Sequence, residues 1–400
     1  MKNFNKQEFK SNERFYLSAI FFLFGLSIMS LAPRTPDLKA NLAVNNGTFG
    51  TLLSTASLGS IVMLLIGGHI VHHIGAKRAM QIGTTVIASS FTILSLTSSP
   101  AVFVFFNIMG GAAVSIYHIA SSGHALHRQD EVGRVIVPKL HGSWGLGAMT
   151  TAGLAFLLSA NLSIAWHISI LMLIVWISTM VTIQKLSPTF HAKPDADDKY
   201  ELTSLKQFKF KVNWFLSIGF FCASIMEFTI ADWATLFGKE VLGMAQSTSA
   251  LNYLVYLLGL IIGRFSIGWA LKHGSESFWI KTAGSVGGGG FIALLLISTS
   301  IYESNKTLAY TLNFLAFLIG GLGSSFLAPI YFAIAGRLSN GQNSIAVGRL
   351  SFVNTLLIFN SKFILAWVVQ LSSITVALVI AGAFMLMLLH FGKIGSTKRI

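Results

Sequence analysis

Glu227 is the residue in this sequence with the most chemistry to explain. It lies inside an apolar run from Val212 to Phe237 that is long enough to cross a bilayer as a helix. An ionised carboxyl near the middle of such a span costs about 3 kcal/mol even on the lenient insertion scale, so a partner or a function must offset it. Lys362, well inside a second apolar run from about 348 to 370, is the expected partner, because pairing removes most of the cost of burying either charge. Asp232 follows Glu227 by five residues, roughly 140° round a helix, so the two carboxyls are not expected to form a dyad.

Two roles for Glu227 follow. In one, Glu227 and Lys362 form a fixed brace. In the other, Glu227 faces a cavity, where it takes up a proton or accepts hydrogen bonds from solute hydroxyls. Further polar candidates lie at helical spacing in other apolar runs. Asn107, Tyr117 and His118 share a face with Gly111, Val114 and Ser121, and Asn354 shares a stripe with Ser351, Ser361 and Lys362. His118 has the side-chain type of a solute ligand or proton relay, and equally that of a neutral histidine satisfied by a neighbouring helix. His141 heads a ridge of small residues (Gly145, Ala148, Ala152) suited to close helix packing. Trp144 is either a stacking surface for a sugar ring or a packing residue. Arg34, between Pro33 and Pro36, either steers an anion or is neutralised by Asp37. His69, His72 and His73 stand beside Lys77 and Arg78 with no Cys, Asp or Glu near them, which argues against a zinc site. Gly287 to Gly290 has no following GKS or GKT and lies within an apolar run, so it is no phosphate loop. Neither a metal nor a cofactor is expected, and no paired acid and base suggests an enzyme.

The elements that must position these residues are membrane spans. Of the 400 residues 53% are hydrophobic and only 10% charged, with a mean hydropathy of +0.69, which excludes a soluble globular domain. The net charge of +14 comes from short basic clusters between apolar runs, the pattern of topology signals and not of a nucleic-acid surface. Cys222, the single cysteine, lies inside an apolar run and is expected to pack. Apolar length and punctuation predict spans from Phe15 to Ala32 and at about 48–68, 79–97, 101–125, 138–160 and 164–184. A polar linker over 185–212 follows, and then spans at about 213–236, 249–271, 278–299, 307–335, 348–370 and 373–392. Residues 1–184 and 213–400 are thus expected to be six-helix bundles. Of the 28 Lys and Arg, only Arg34, Lys39, Lys239 and Lys306 fall in loops on the side away from the termini, with Lys362 inside a span. Both ends are therefore expected in the cytoplasm. A weak repeat places GGHIVHHIGAKR (Gly68, His72, Gly75, Lys77, Arg78) at the end of the second span and GRFSIGWALKHG (Gly263, Arg264, Gly268, Lys272) at the end of the eighth, the same place in the other half.

With that layout, the chain resembles the major facilitator superfamily over essentially its whole length. APRTPDLKANL after the first span, HGSWGLGA (His141 to Ala148), EFTIADW (Glu227 to Trp233) and GLGSSFLAPIYFAIAGR (Gly321 to Arg337) look like the fucose-permease-like branch. The resemblance implies an all-α integral membrane protein of twelve transmembrane helices in two pseudo-symmetric bundles, with the two glycine-basic stretches as paired gate loops. Three departures matter. His72 stands where the superfamily's gate loop carries an Asp, Asn107 stands where many proton-coupled members have Arg, and the fifth span lacks the Gly-Pro pair of drug antiporters.

The expected activity is secondary transport of a small polar solute, a sugar for instance, by alternating access and proton symport across the inner or plasma membrane, by a monomer. Efflux of amphipathic compounds, or a non-transporting receptor or accessory subunit, are the alternatives. The expected partners are the solute, protons and the lipid bilayer.

Overall fold

The computed structural model describes residues 11–132, 136–186, 212–338 and 343–396, and most of the expected linker lies outside them. Among the described residues the secondary structure is helical, with no strand. The first half runs α1 (Ser11–Ile28), α2 (Asn46–Ser54 and Ala56–Ile74), α3 (Ala76–Leu96), α4 (Pro100–Val132), α5 (Val137–Leu158) and α6 (Ile164–Lys185). The second half runs α7 (Trp214–Glu240), α8 (Gln246–His273), α9 (Glu276–Thr282, a π segment Ala283–Gly290, and Phe291–Ile301) and α10 (Lys306–Ser324 and Leu327–Arg337). It ends with α11 (Asn343–Leu371) and α12 (Ile374–Leu386 and Leu388–Phe391). By length and composition 11 of these are candidates to cross a membrane; α5, of 22 residues, packs against α1 and α8.

Local chemistry explains where the helices start and break. Asn45, Asn213, Ser275, Asn305 and Ser373 each cap a helix by accepting a hydrogen bond from the backbone N–H three residues on. Gly75 separates α2 from α3 at φ 83°, a conformation open to glycine at little cost. The α2 break at Thr55 frees carbonyls that Asn107 of α4 satisfies: its amide donates to the Leu52 carbonyl at 2.8 Å, the Leu53 carbonyl at 3.2 Å and Thr55 Oγ1 at 3.0 Å.

The halves repeat one packing device. A Cβ at Gly59 of α2 would strike the Ile108 carbonyl of α4, and one at Gly111 of α4 would strike the Ala56 carbonyl of α2. In the second half Gly259 of α8 meets the Leu318 carbonyl of α10, and Gly321 of α10 meets the Tyr256 carbonyl of α8. Each pair lets two backbones touch, the close approach that small residues permit between membrane helices.

Two seams join the halves. Along α5 and α8, Gly142 and Gly145 pack on Phe265 and Ile261; along α2 and α11, Gly47 and Gly50 pack on Gln370 and Ala366. The end of the molecule away from the chain termini is also tied by polar bonds between the halves. Lys39 Nζ meets Glu240 Oε1 at 2.6 Å, Asn46 donates to Glu240 Oε2 at 3.2 Å, Gln246 donates to Asp37 at 2.8 Å, and Gly47 N–H donates to Gln370 Oε1 at 3.0 Å. Arg34 stands behind this closure, 1% exposed, bonded to Asp37 at 2.7 Å, to His167 Nδ1 at 3.1 Å and to the Leu162 carbonyl at 3.1 Å. Of the two expectations for Arg34, the structure shows the neutralised pair.

Candidate functional site

The expected Glu227–Lys362 pair does not form. Lys362 Nζ lies 2.8 Å from Asp232 Oδ2 and 3.1 Å from Asp232 Oδ1, each side chain 15% exposed, tying α11 to α7. The helix advances 1.5 Å per residue, so Asp232 sits ~7.5 Å along α7 from Glu227, and the lysine can satisfy only one of the two carboxylates. As expected, those carboxylates form no dyad.

Glu227 belongs instead to a site built around Arg264 of α8. Arg264 Nη2 lies 3.6 Å from Glu227 Oε2, with the side chains 24% and 31% exposed, and no hydrogen bond joins them. The guanidinium carbon stands 5.7 Å from the ring centre of Trp144 on α5, so the cation rests on an aromatic face from the other half. His141 lies one helical turn before Trp144 on α5. The His141 ring is 6.4 Å from that of His118 and 5.5 Å from Phe21, while exposed His118 lies 6.1 Å from Phe24. Tyr253 and Tyr256 of α8 are buried, Tyr253 with its hydroxyl 3.1 Å from Met29 Sδ. An anion, a cation, an indole face and two imidazoles therefore meet where α5 and α8 join the halves.

Other candidates stand elsewhere. Asn107 spends its amide donors on the α2 break. Tyr117 is buried, its ring stacked on Phe24 at 4.6 Å and its hydroxyl 3.4 Å from the Ile20 carbonyl. Asn354 is buried on α11 with Oδ1 unpaired. The paired gate loops are mostly helix. Gly68 and His72 lie in α2, Lys77 and Arg78 in the first turn of α3, and Gly263, Arg264, Gly268 and Lys272 all lie within α8; only Gly75 sits in a break. The apolar residues on both sides of these basic positions continue the helix through them. Lys77 donates to the Leu186 carbonyl at 2.7 Å, fixing the end of α6. His69 and His73 approach to 3.0 Å between Nε2 atoms, and among the described residues no group of three or more His, Cys, Asp or Glu could hold a metal.

Arg264 is the residue whose role the sequence concealed. It reads as one of the basic residues of a loop motif, yet it precedes Lys272 by eight residues, ~12 Å of helix. The apolar FSIGWAL that follows it was the available signal of depth.

A family model described as Major Facilitator Superfamily matches residues 17–361. The chain is 24% identical over 364 residues to an uncharacterised MFS-type transporter of Yersinia pestis, covering 89% of each. It is 21% identical over 342 residues to the membrane protein MosC of Rhizobium meliloti, covering 84% of this chain and 77% of MosC. Among solved structures, the nucleoside transporter NupG matches with a TM-score of 0.75 at 15% identity, covering 97% of this chain and 100% of that one. A D-xylose-proton symporter matches with a TM-score of 0.67 at 13% identity, covering 97% and 99%. The chain is a membrane transporter of this type and belongs to the Major Facilitator Superfamily.

Proposed function

We propose that the protein is a proton-coupled secondary transporter of a small polar solute, with the proton carried on Glu227. Residues 1–184 and 213–400 act as two bundles that rock against each other, joined by 185–212, with both ends in the cytoplasm. The observation that carries the reading is the Glu227–Arg264 contact: opposite charges at 3.6 Å, part exposed, without a hydrogen bond, and resting on Trp144 of the other half. An ion pair built only to brace a bundle is expected to close to hydrogen-bonding distance, as Lys362 and Asp232 do. A pair left loose at a seam is free to exchange partners when solute or proton arrives.

The polar bonds at the end away from the termini support alternating access, since Lys39–Glu240 and Asp37–Gln246 must part for that end to open. The nucleoside transporter and the xylose-proton symporter of the same fold make nucleoside-sized and sugar-sized polar solutes the first class to examine.

The test is uptake of sugars, sugar acids, nucleosides and amino acids into proteoliposomes, with and without an imposed pH gradient, beside exchange in vesicles preloaded with the same solute. Wild-type protein is expected to accumulate a solute only with the gradient. Glu227→Gln is expected to exchange that solute across the membrane without accumulating it. Gradient-driven accumulation by Glu227→Gln defeats the proton role, and solute binding without exchange points to a receptor.

A further inference from the structure

Resting on that reading and narrowing it, we propose that the solute is a small organic carboxylate whose carboxyl displaces Glu227 from Arg264 while Glu227 takes the proton. The guanidinium has five N–H donors in a planar fork matched to a carboxylate. Among the described residues none of the five donates a hydrogen bond to a protein acceptor, and the Glu227 oxygen nearest to it is 3.6 Å away. Buried Arg34 contrasts: it donates to Asp37 and the Leu162 carbonyl and meets His167 Nδ1. Arg264 thus has its face held by Trp144 and its fork open at the seam.

A neutral solute would have to insert between two opposite charges and hydrogen-bond both. A carboxylate instead replaces one anion by another on the same cation. In the exchange the R–COO⁻ of the solute takes the place of the Glu227 carboxylate on Arg264, and Glu227 binds one proton to become a neutral acid. The occupied site then carries the same net charge as the empty one. One anion and one proton move together, so the step is electroneutral and no charge is left alone in the membrane interior.

Around Arg264, Trp144 of α5 lies under the guanidinium, and His141, one helical turn before Trp144, stands 6.4 Å from His118 of α4. Tyr253 and Tyr256 are buried on α8, Tyr253 with its hydroxyl 3.1 Å from Met29 Sδ, and Asp232 is occupied by Lys362. The imidazoles offer a donor and an acceptor for a hydroxyl next to the solute carboxyl. This favours hydroxylated acids, such as aldonates or uronates, over plain fatty acids.

The experiment is a thermal-shift titration of purified wild-type, Glu227→Gln, Arg264→Gln and Arg264→Lys protein. The probes are lactate, gluconate and glucuronate, each beside its neutral counterpart (glycerol, sorbitol, glucose) at matched ionic strength. At least one carboxylate is expected to raise the wild-type Tm, more at low pH than at high pH, while its neutral counterpart does not. Glu227→Gln is expected to bind the same acid at least tenfold more tightly and with no pH dependence, because nothing competes for Arg264. Arg264→Gln should lose the shift, and Arg264→Lys, folded and charged but without the fork, should weaken it. Stabilisation by none of the carboxylates in either wild type or Glu227→Gln overturns the proposal. Stabilisation by the neutral counterparts alone also overturns it, while leaving transport of a neutral solute standing. A carboxylate that binds as described but shows no exchange in proteoliposomes defeats transport and not the ligand class.

Discussion

Lys362 Nζ is 2.8 Å from Asp232 Oδ2, and this bond leaves Glu227, ~1.4 turns away on the same helix, to Arg264. Glu227 and Asp232 therefore have different work. The Asp232 pair is short and 85% removed from solvent on both sides, so removing one partner strands the other. Either Asp232→Asn or Lys362→Met alone is expected to cost about 3 kcal/mol of stability, and the double variant should regain most of it. Unfolding midpoints in detergent measure this. Rescue of Lys362→Met by Glu227→Gln, in place of Asp232→Asn, would mean that the pairing has been assigned to the wrong acid.

Asn107 supports a broken helix and takes no part in the cluster around Arg264. Its replacement by Ala takes a donor from the Leu53 carbonyl and from Thr55 Oγ1, while the Leu52 carbonyl keeps the Thr55 N–H and hydroxyl, an expected loss of about 1–3 kcal/mol. Solute affinity should change little once the protein is folded. A paired measurement of Tm and of half-saturating solute concentration in counterflow separates the two effects. A raised half-saturation at unchanged Tm would return Asn107 to the solute site.

The layout of the helices was legible because hydrocarbon enforces it: a span must be long and apolar, and these runs are separated by polar or glycine-bearing breaks. The Glu227 and Asp232 separation was legible for the same reason, since the helix fixes their angle. Which cation meets which acid was not. Lys362 and Arg264 both have flexible stems, and choosing between partners on three helices depends on rotation and tilt set by packing that one sequence does not display. The basic cluster GRFSIGWALKH also misled for a physical reason. A lysine or arginine near a membrane end usually snorkels to the surface, whereas Arg264 is held inward by Trp144 and Glu227.

Closure at the end away from the termini depends on Gly50. A Cβ there would strike the Ala366 methyl and lie 2.8 Å from the Trp233 ring, while Gly47 beside it sits against Gln370. Gly50→Leu is expected to wedge α2 from α11 and favour the conformation open at that end. Spin labels at Ala40→Cys and Ser304→Cys, both exposed near that end, should move apart in the Gly50→Leu background. Cys222 is buried and will not compete for label. An unchanged distance distribution would show that the seam tolerates the side chain by local repacking.

The glycines that mark the repeat are not the glycines that hold the bundles together. Gly68 and Gly268 stand at matched places in the two motifs, and a Cβ at either meets nothing within 4 Å. Alanine at these positions should leave stability unchanged or raise it by up to about 1 kcal/mol, the difference in helix propensity. Gly59 and Gly259 have no motif to recommend them, yet each lies against a backbone carbonyl of the partner helix that cannot turn aside. Gly59→Ala and Gly259→Ala are expected to force α2 from α4 and α8 from α10, lowering Tm in both halves and reducing the yield of folded protein. The comparison of all four variants in one expression host and one detergent decides the matter. Loss of folding in Gly68→Ala with tolerance in Gly59→Ala would reverse the assignment of which glycines carry the packing.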